Sequence, residues 1–234
     1  LGTGAERLAA NITAMSGGRL TIKVYSAGEL VPALECFGAV ANGTAQMGHD
    51  AGYYHTGKSE GCAFFTAFPF GFTMGEMAAW IKHGNGQKLW DELYAPFGLR
   101  GFQAGSTGTQ MFGWFRREIR GLADLQGLKF RTPGNQGRVL QKLGVIPVSL
   151  PGGEIFPALQ SGAIDGAEWV GPYNDLALGF YQVCRYYYSP GYHEPGPALQ
   201  LIVNEQAWRS LPSDLQAIVR AAADAATTDM YAEY

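Results

Sequence analysis

The first part of the chain alternates between helical and extended patterns of apolar residues. Apolar residues recur at helical spacing over residues 5–16, and the pair Gly17-Gly18 ends that helix. The stretch RLTIKVY alternates with period two, which predicts a strand over Leu20–Tyr25. ALECFGAVANG predicts a short helix closing on Gly43, and TAQMGHD predicts the next strand. This order predicts an α/β domain with a largely parallel sheet.

A second α/β pattern begins near residue 122, with LADLQGLKFR. Its apolar alternation predicts a strand ending on Arg131, and Pro133-Gly134 predicts the turn into a following helix. The C-terminal stretch LPSDLQAIVRAAADAATTDMYAEY has a helical pattern without a stop signal. The apolar face of this last helix comprises Leu215, Ile218, Val219, Ala222 and Ala226.

Two stretches of the chain echo each other. In ANGTAQMGHDAGYY and in QSGAIDGAEWVGPY a helix ends at a glycine, small or polar residues follow, and His49-Asp50 falls where Glu168-Trp169 falls. The echo reflects either a shared architecture or two generic turns. A shared architecture predicts two similar lobes, whose strands deliver polar residues at their carboxyl ends, where ligands of open α/β sheets bind. A ligand cleft between the lobes would then contain Glu168 and Trp169.

This organisation predicts three segments with approximate boundaries. Residues 1–105 form mainly the first lobe, residues 106–190 mainly the second, and residues 191–234 a crossover back and a C-terminal helical segment. The chain starts without Met or a signal peptide, and its last helical pattern has no stop signal. We therefore expect a processed or partial chain.

Composition excludes several classes of protein. The 234 residues are 47% hydrophobic with a formal net charge of −3, which suits a globular core and does not indicate disorder. Without an apolar run of about 18 residues or a Lys/Arg cluster, neither a membrane span nor a nucleic-acid partner is expected. GxSxG, HExxH, P-loop and GxGxxG motifs are missing, so catalysis finds no support. Cys36, Cys62 and Cys184 lack zinc spacing and are interpreted as buried thiols, with one disulfide left open.

A few polar residues could form a site for a small acid. At a strand end, the Arg131 guanidinium would either hold a ligand carboxylate in a bidentate fork or close a loop by a salt bridge. Gln110, in the glycine-rich AGSTGTQMFGWF, and Glu168 offer oxygens to a hard cation, although a glutamine bonded to backbone is the commoner case. FYQVCRYYYSPGYHEPGP carries five tyrosines and His193, which line a pocket or form core.

The chain resembles the periplasmic substrate-binding subunits of TRAP transporters, of the DctP type, in the branch that binds 2-oxo and 2-hydroxy acids. The resemblance covers essentially all 234 residues. Its most specific stretches are FFTAFPFGFTMGEMAAWI, GQKLWDELYAPFGLRGFQAGSTGTQMFGWFRREI, DLQGLKFRTPGNQGRVLQKLG, GAIDGAEWVGPYND and YYYSPGYHEPGPALQLIVN. The resemblance implies an α/β, two-lobed periplasmic binding protein fold, type II-like, with the ligand cleft between the lobes.

The resemblance also implies a role for each residue of the site. Arg131 would clamp the substrate carboxylate. A Na⁺ or Ca²⁺ bridging the substrate would be held by Gln110, by the Glu168 side chain and by the Trp169 backbone carbonyl. The Trp169 ring would form a wall of the pocket, and no organic cofactor is expected.

Three further residues are assigned to substrate binding, and two positions depart from the branch. Tyr53, Tyr54 and His193 are expected to line the substrate, with His193 as a hydrogen-bonded wall residue. Ser106 stands where the branch usually has Asn, and Phe112 stands where Gly is usual. These departures, and those around the two tyrosines, concern the size of the substrate more than the fold.

The function implied is that of an extracytoplasmic, periplasmic subunit that delivers a pyruvate- or lactate-like acid to membrane permease subunits without catalysing a reaction. Family members carry an earlier first strand and a longer C-terminal helical region, and in this branch a swapped C-terminal helix supports a dimer, so a homodimer is left open. Two alternatives stand beside this function: a ligand-binding sensory domain, and a small-acid enzyme that would use Glu168 or His193.

Overall fold

The computed structural model describes residues 2–234, which form two compact units. The first unit contains the residues up to Thr66, together with Gly75–Ser106 and Ala198–Glu233. The second unit contains Ala67–Met74 and Thr107–Pro197, with Tyr234. The lobe boundaries expected from the sequence remain a prediction.

Helices and strands alternate along most of the chain. The α-helices are α1 (Gly2–Met15), α2 (Cys36–Ala41), α3 (Met74–His83), α4 (Gly86–Tyr94), α5 (Gly134–Lys142), α6 (Gly152–Ser161), α7 (Pro172–Leu178), α8 (Glu205–Ser210) and α9 (Ser213–Glu233). The strands are β1 (Met47–Asp50), β2 (Leu99–Ser106), β3 (Gly113–Phe115), β4 (Lys129–Arg131), β5 (Ile146–Val148), β6 (Gly166–Ala167), β7 (Tyr186–Tyr188) and β8 (Ala198–Asn204). Short 3₁₀ turns occupy Ala33–Glu35, Gly52–His55, Glu60–Phe65, Ala95–Phe97, Leu122–Leu125 and Phe180–Gln182.

The sheet of the first unit has the order β1-β8-β2, and both strand pairs are antiparallel. The largely parallel sheet predicted for this part of the chain is therefore wrong. The physical reason is that β8 returns from far along the chain and runs between β1 and β2. Strands that follow one another in sequence consequently are not neighbours here, and the rule linking consecutive strands to parallel pairing does not apply.

The strand predicted over Leu20–Tyr25 is also wrong, because this segment forms no ladder with any described residue. Leu20 and Ile22 are half-buried and pack against the core that α1 and α9 share, whereas Thr21 and Lys23 are exposed. The period-two pattern of this segment therefore reflects an extended backbone with one half-buried apolar side, not a strand of a sheet. Extended backbone becomes a strand only where a neighbouring strand takes up its hydrogen bonds.

Both faces of the first sheet are buried. Leu201 and Val203 on β8 pack with α1 and α9, while the intervening Ile202 packs with the helices on the other face. This alternation follows from the period of a strand. The predicted apolar face of α9 is confirmed, because Leu215, Val219, Ala222 and Ala226 are buried and Ile218 is half-buried. The predicted helix end at Gly43 is confirmed too, by its positive φ of 82°.

The five strands of the second unit have the order β5-β4-β6-β3-β7. The strands β5, β4 and β6 are parallel, and β3 is antiparallel to both β6 and β7. Arg131 is the last residue of β4, and it stands beside Ala167, the last residue of β6. The predicted strand end at Arg131 is therefore confirmed, whereas the strand expected to end on Glu168-Trp169 stops one residue earlier, at Ala167. The parallel register brings Arg131 and Glu168 to the same edge of the sheet.

The expected mixed α/β fold is confirmed, with one helix-covered sheet in each unit. Among residues 2–234, no helix combines the length and apolar character needed to cross a bilayer. The three cysteines are free thiols. Cys62 and Cys184 are buried as predicted, whereas Cys36 is half-buried.

Candidate functional site

Arg131 and Glu168 form a buried ion pair at the carboxyl edge of the second sheet. The Arg131 Nη1 donates to Glu168 Oε1 at 2.7 Å and to the Glu168 carbonyl oxygen at 2.9 Å. Its Nε donates to the Leu150 carbonyl oxygen at 3.0 Å. The side chains are 1% and 0% exposed, so both charges are withdrawn from water and depend on each other. The sequence left open whether this arginine holds a ligand or an internal partner, and the structure places it against Glu168.

Glu168 Oε2 and Gln110 Oε1 are among the buried oxygens of the second unit that lack a hydrogen-bond donor among the described residues. The amide of Gln110 is held in place because its Nε2 donates to Thr107 Oγ1 at 3.0 Å. A buried oxygen without a donor costs about 1–3 kcal/mol. Carboxylate and amide oxygens are the ligands that hard cations such as Na⁺ and Ca²⁺ accept.

His193 and Glu194 lie next to Glu168. One ligand atom from each of these three residues lies within 4.8 Å of the other two, and all three side chains are buried. The His193 Nε2 is 3.7 Å from Glu168 Oε2, which is too long for a hydrogen bond. Both ring nitrogens of His193 lack a hydrogen-bond partner among the described residues. Glu168 Oε2 and the His193 ring nitrogens therefore have electron pairs that a cation could accept.

Backbone pairing joins Gln110 to the segment that carries His193 and Glu194. The Gln110 N–H donates to the Glu194 carbonyl oxygen at 3.0 Å, and the Gly191 N–H donates to the Gln110 carbonyl oxygen at 2.9 Å. A Cβ at Gly191 would lie 2.4 Å from that carbonyl oxygen, so a glycine permits the close approach. This backbone pairing places Gln110 beside Gly191 and Glu194, which lie about eighty positions later in the sequence.

The Trp169 ring stacks over the arginine and covers the start of α6. The Arg131 Cζ is 5.1 Å from the ring centroid, within the range of a cation–π contact. A Cβ on Gly152 would lie 2.4 Å from the Trp169 Cη2, so the ring rests on bare backbone there. Trp169 is half-buried. The ring thus covers one side of the arginine, and its expected role as a wall of the substrate pocket stays a prediction.

The two predicted tyrosines belong to the first unit. Tyr53 and Tyr54 lie in the 3₁₀ turn Gly52–His55 directly after β1, with ring centroids 4.8 Å apart in an edge-to-face arrangement. Tyr53 is buried and Tyr54 is half-buried. Their assignment to the substrate stays a prediction. Of the predicted site residues, Arg131, Glu168, Trp169, Gln110 and His193 all belong to the second unit.

Sequence reasoning missed Glu194. The residue lies between two Pro-Gly steps and beside His193, and nothing local distinguishes it from a loop glutamate. The signal available was its pairing with a histidine in a segment otherwise rich in aromatics and prolines. Only the contact with Glu168, 26 positions earlier by numbering, identifies it as part of the cluster.

The fold is that of extracellular solute-binding proteins, as two solved structures show. A TRAP transporter solute binding protein from Bordetella bronchiseptica RB50 is 40% identical, with a TM-score of 0.97 over 99% of this chain and 69% of that chain. It is a mixed occupancy dimer, with a copurified calcium and picolinate bound active site versus an apo site. A TRAP periplasmic solute binding protein from Pseudoalteromonas atlantica T6c, with bound sodium and pyruvate, is 46% identical, with a TM-score of 0.95 over 98% of this chain and 70% of that chain.

The family follows from the sequence comparison. The profile of the DctP family, bacterial extracellular solute-binding protein family 7, matches residues 1–234, and the chain belongs to this family. The monocarboxylate 2-oxoacid-binding periplasmic protein all3028 of Nostoc sp. (strain PCC 7120) is 47% identical over 236 residues. The alignment covers 100% of this chain and 65% of the Nostoc protein, so the chain spans about two thirds of the length of this relative.

Proposed function

We propose that this protein is the periplasmic solute-binding subunit of a TRAP transporter. It binds a small 2-oxo or 2-hydroxy carboxylic acid of the size of pyruvate or lactate, together with a bridging Na⁺ or Ca²⁺. It delivers this acid to membrane permease subunits. The observation that carries the proposal is the buried cluster of Arg131, Glu168, His193 and Glu194, in which Glu168 Oε2 has no donor among residues 2–234.

The charges in this cluster account for the cation. Glu168 and Glu194 carry two formal negative charges, and Arg131 carries one positive charge. A carboxylate substrate adds a third negative charge to a site from which water is excluded. Like charges at such distances repel strongly in a low-dielectric interior. A bound cation reverses this repulsion and gives the donor-free oxygens of Glu168 and Gln110 a partner.

The substrate class follows from the chemistry of chelation. A hard cation held by carboxylate and amide oxygens accepts further oxygen ligands. Pyruvate offers a carboxylate oxygen and a 2-oxo oxygen that close a five-membered ring on the metal. Picolinate, present with calcium in the Bordetella relative, has a ring nitrogen at the equivalent position. Both ligands therefore share a donor atom next to the carboxylate, which is the feature that this site would select.

Each residue has a defined part in this proposal. Gln110 Oε1, the Glu168 carboxylate and the Trp169 carbonyl hold the cation, and the Glu194 carboxylate lies where it can join them. Arg131 clamps the substrate carboxylate while it keeps its bond to Glu168.

His193 lines one side of the substrate in this proposal. Its ring nitrogens have no partner among the described residues, and one of them donates or accepts a hydrogen bond with the acid. The cation itself supplies only charge and coordination when it is bound.

The proposed protein binds and releases its substrate unchanged. The family consists of solute-binding proteins, and enzymes of small acids need a base with a partner that positions it. A homodimer is part of this proposal only as a parallel with the Bordetella relative, which is a dimer. The alternative, a sensory domain, would bind the same acid in the same way, and it would differ only in the domain or membrane segment to which it is fused.

The test is calorimetry of the purified chain with a panel of acids, after removal of metal ions by a chelator. Pyruvate, lactate, picolinate and propionate are titrated in potassium buffer alone, with Na⁺, and with Ca²⁺. We expect pyruvate binding that requires one of the two cations, and no change in the acid after incubation by NMR. Pyruvate affinity that is equal with and without both cations would contradict the bridging cation, and turnover would favour the enzyme.

A further inference from the structure

Asp175 is a buried carboxylate that the proposed binding site does not use directly. It lies in α7 and is 1% exposed. Its Oδ1 accepts the Val170 N–H at 3.1 Å. Its Oδ2 accepts the Trp114 Nε1–H at 3.0 Å and the Tyr187 hydroxyl at 2.8 Å. Three donors converge on this carboxylate, and their hydrogen bonds offset the cost of burying its charge.

The three donors come from separate parts of the second sheet. Trp114 on β3 and Tyr187 on β7 are directly opposed in the ladder, and their rings stack at 3.9 Å. Val170 follows Glu168 and Trp169, where the chain leaves β6. Since β6 ends at Ala167, the ladder does not hold Val170 in place. The bond to Asp175 therefore ties the segment that carries the proposed cation ligands to two strands of the sheet.

The decisive feature is the peptide unit shared by Trp169 and Val170. In a trans peptide the carbonyl of one residue and the N–H of the next point in opposite directions. By accepting the Val170 N–H, Asp175 sets the direction of the Trp169 carbonyl. A negative charge at the N–H end also polarises the amide and increases the negative charge on the carbonyl oxygen. Both effects make this carbonyl a better ligand for a cation.

The neighbouring peptide unit is held as well. The Met111 N–H donates to the Val170 carbonyl oxygen at 2.9 Å, so both backbone groups of Val170 are bonded. Met111 follows Gln110, which links this segment to the other proposed oxygen ligand. Burial raises the pKa of the Asp175 carboxyl, its three hydrogen bonds work against that rise, and the charge of Glu168 adds to it.

We propose that Asp175 is a positioning residue for the cation site, which acts by orienting the Trp169 carbonyl through the Val170 N–H. This inference rests on the proposed function, because it assigns the carbonyl to a bound cation. Residues that hold a metal ligand in place change metal affinity about 10- to 100-fold when they are removed. A residue with only a structural role would change the stability of the protein and leave its response to the cation intact.

The test compares Asp175→Asn and Asp175→Glu with Asp165→Asn as a matched control. The Asn variant keeps the shape of the side chain but presents an amide to the Trp114 and Tyr187 donors. The Glu variant keeps the charge and displaces the carboxylate by one methylene. Asp165 is a suitable control, because its Oδ2 also accepts a backbone N–H in the second unit, that of Lys129 at 2.9 Å.

Ca²⁺ is titrated into each chelator-treated protein by calorimetry, with and without saturating pyruvate, and thermal unfolding is followed with and without Ca²⁺. We expect both Asp175 variants to bind Ca²⁺ about 10- to 100-fold more weakly and to lose most of the Ca²⁺-induced rise in the unfolding temperature. Asp165→Asn should keep both properties.

The outcomes separate this inference from the function on which it rests. A wild-type protein that binds neither Ca²⁺ nor pyruvate would overturn the proposed function and this inference together. If the wild type binds Ca²⁺ and pyruvate, and both Asp175 variants bind Ca²⁺ within about threefold of the wild-type affinity, the positioning role alone is overturned. The positioning role would also be overturned if Asp165→Asn lost as much Ca²⁺ affinity as the two Asp175 variants. Should Asp175→Asn fail to fold, Asp175→Glu alone decides.

Discussion

Arg131 bonds to Glu168 twice through one nitrogen, since Nη1 donates to the side-chain Oε1 at 2.7 Å and to the backbone carbonyl oxygen at 2.9 Å. This double contact joins the ends of β4 and β6 and leaves the second carboxylate oxygen of Glu168 without a donor among the described residues. Arginine–carboxylate pairs are frequently bidentate, whereas here one side-chain oxygen of Glu168 accepts from the arginine. The structure shows the internal partner among the two roles that the sequence left open for this arginine, and the role of holding a substrate carboxylate stays a prediction.

Arg131→Ala is expected to abolish most pyruvate binding. The loss should be on the order of 2–5 kcal/mol, because the substrate carboxylate and Glu168 both lose their positive partner. Arg131→Lys should bind poorly as well, since an ammonium cannot reproduce the fork. Calorimetry at saturating Ca²⁺ measures the affinity. Arg120→Ala is the control, since this arginine pairs with Glu118 at the surface. Arg131→Ala with affinity within about threefold of wild type would refute the role.

Glu168→Gln and Glu168→Ala are expected to separate charge from coordination. The amide keeps one oxygen for a cation but removes the negative charge, so the dependence of pyruvate binding on Ca²⁺ concentration should weaken. The alanine variant should lose most binding, because both the cation ligand and the partner of Arg131 are gone. Pyruvate titrations at a series of Ca²⁺ concentrations measure this. Glu154→Gln, an exposed position in the same unit, should behave as wild type, and Glu168→Gln with unchanged Ca²⁺ dependence would contradict the assignment.

Acids that lack an oxygen at position 2 are expected to bind weakly. Propionate matches pyruvate in carbon number but cannot close a chelate ring on a cation. Losing one contact to a charged partner costs about 1.5–3 kcal/mol, so propionate should bind about 10- to 100-fold more weakly than pyruvate. Competition of both acids in the presence of Ca²⁺ gives the ratio. Equal affinities would show that the carboxylate alone is recognised.

Gly191→Ala is expected to disturb the site through the backbone. The added Cβ would lie 2.4 Å from the Gln110 carbonyl oxygen and 2.8 Å from that of Met111. The two segments must then separate, at a cost of about 1–3 kcal/mol in the free energy of unfolding, and pyruvate affinity should fall because Gln110 moves away from Glu194.

Gly121→Ala is the control for that substitution. The residue has an extended φ of −173° and open space around its Cβ direction. Urea unfolding and calorimetry on both variants give stability and affinity. Gly191→Ala with wild-type values of both would show that the two segments tolerate the extra atom.

Several features of this protein could be predicted from local sequence. The pattern around Arg131 predicted a strand ending on that residue, and the small residues before Glu168 predicted a buried strand ending there. Both predictions depend on periodicity and turn residues within about ten positions, a range over which backbone geometry is governed by immediate neighbours. The roles of Arg131, Gln110 and Trp169 came from a resemblance in specific stretches, and the order of those stretches indicated the family.

The tertiary structure decided what no local pattern contains. Leu20–Tyr25 has the period of a strand but no neighbour to complete its hydrogen bonds, and the partners of β1 and β2 come from β8, about a hundred residues or more away. Glu194 has only a neighbouring histidine as a local signal and Asp175 has none, and only the packed chain brings them to Glu168 and to the Val170 N–H. Strand neighbours and buried polar partners depend on chain packing over long separations, and the free energy of a buried charge depends on everything around it. A sequence read along its length therefore locates the ends of strands, whereas only the packed chain shows which charges meet there.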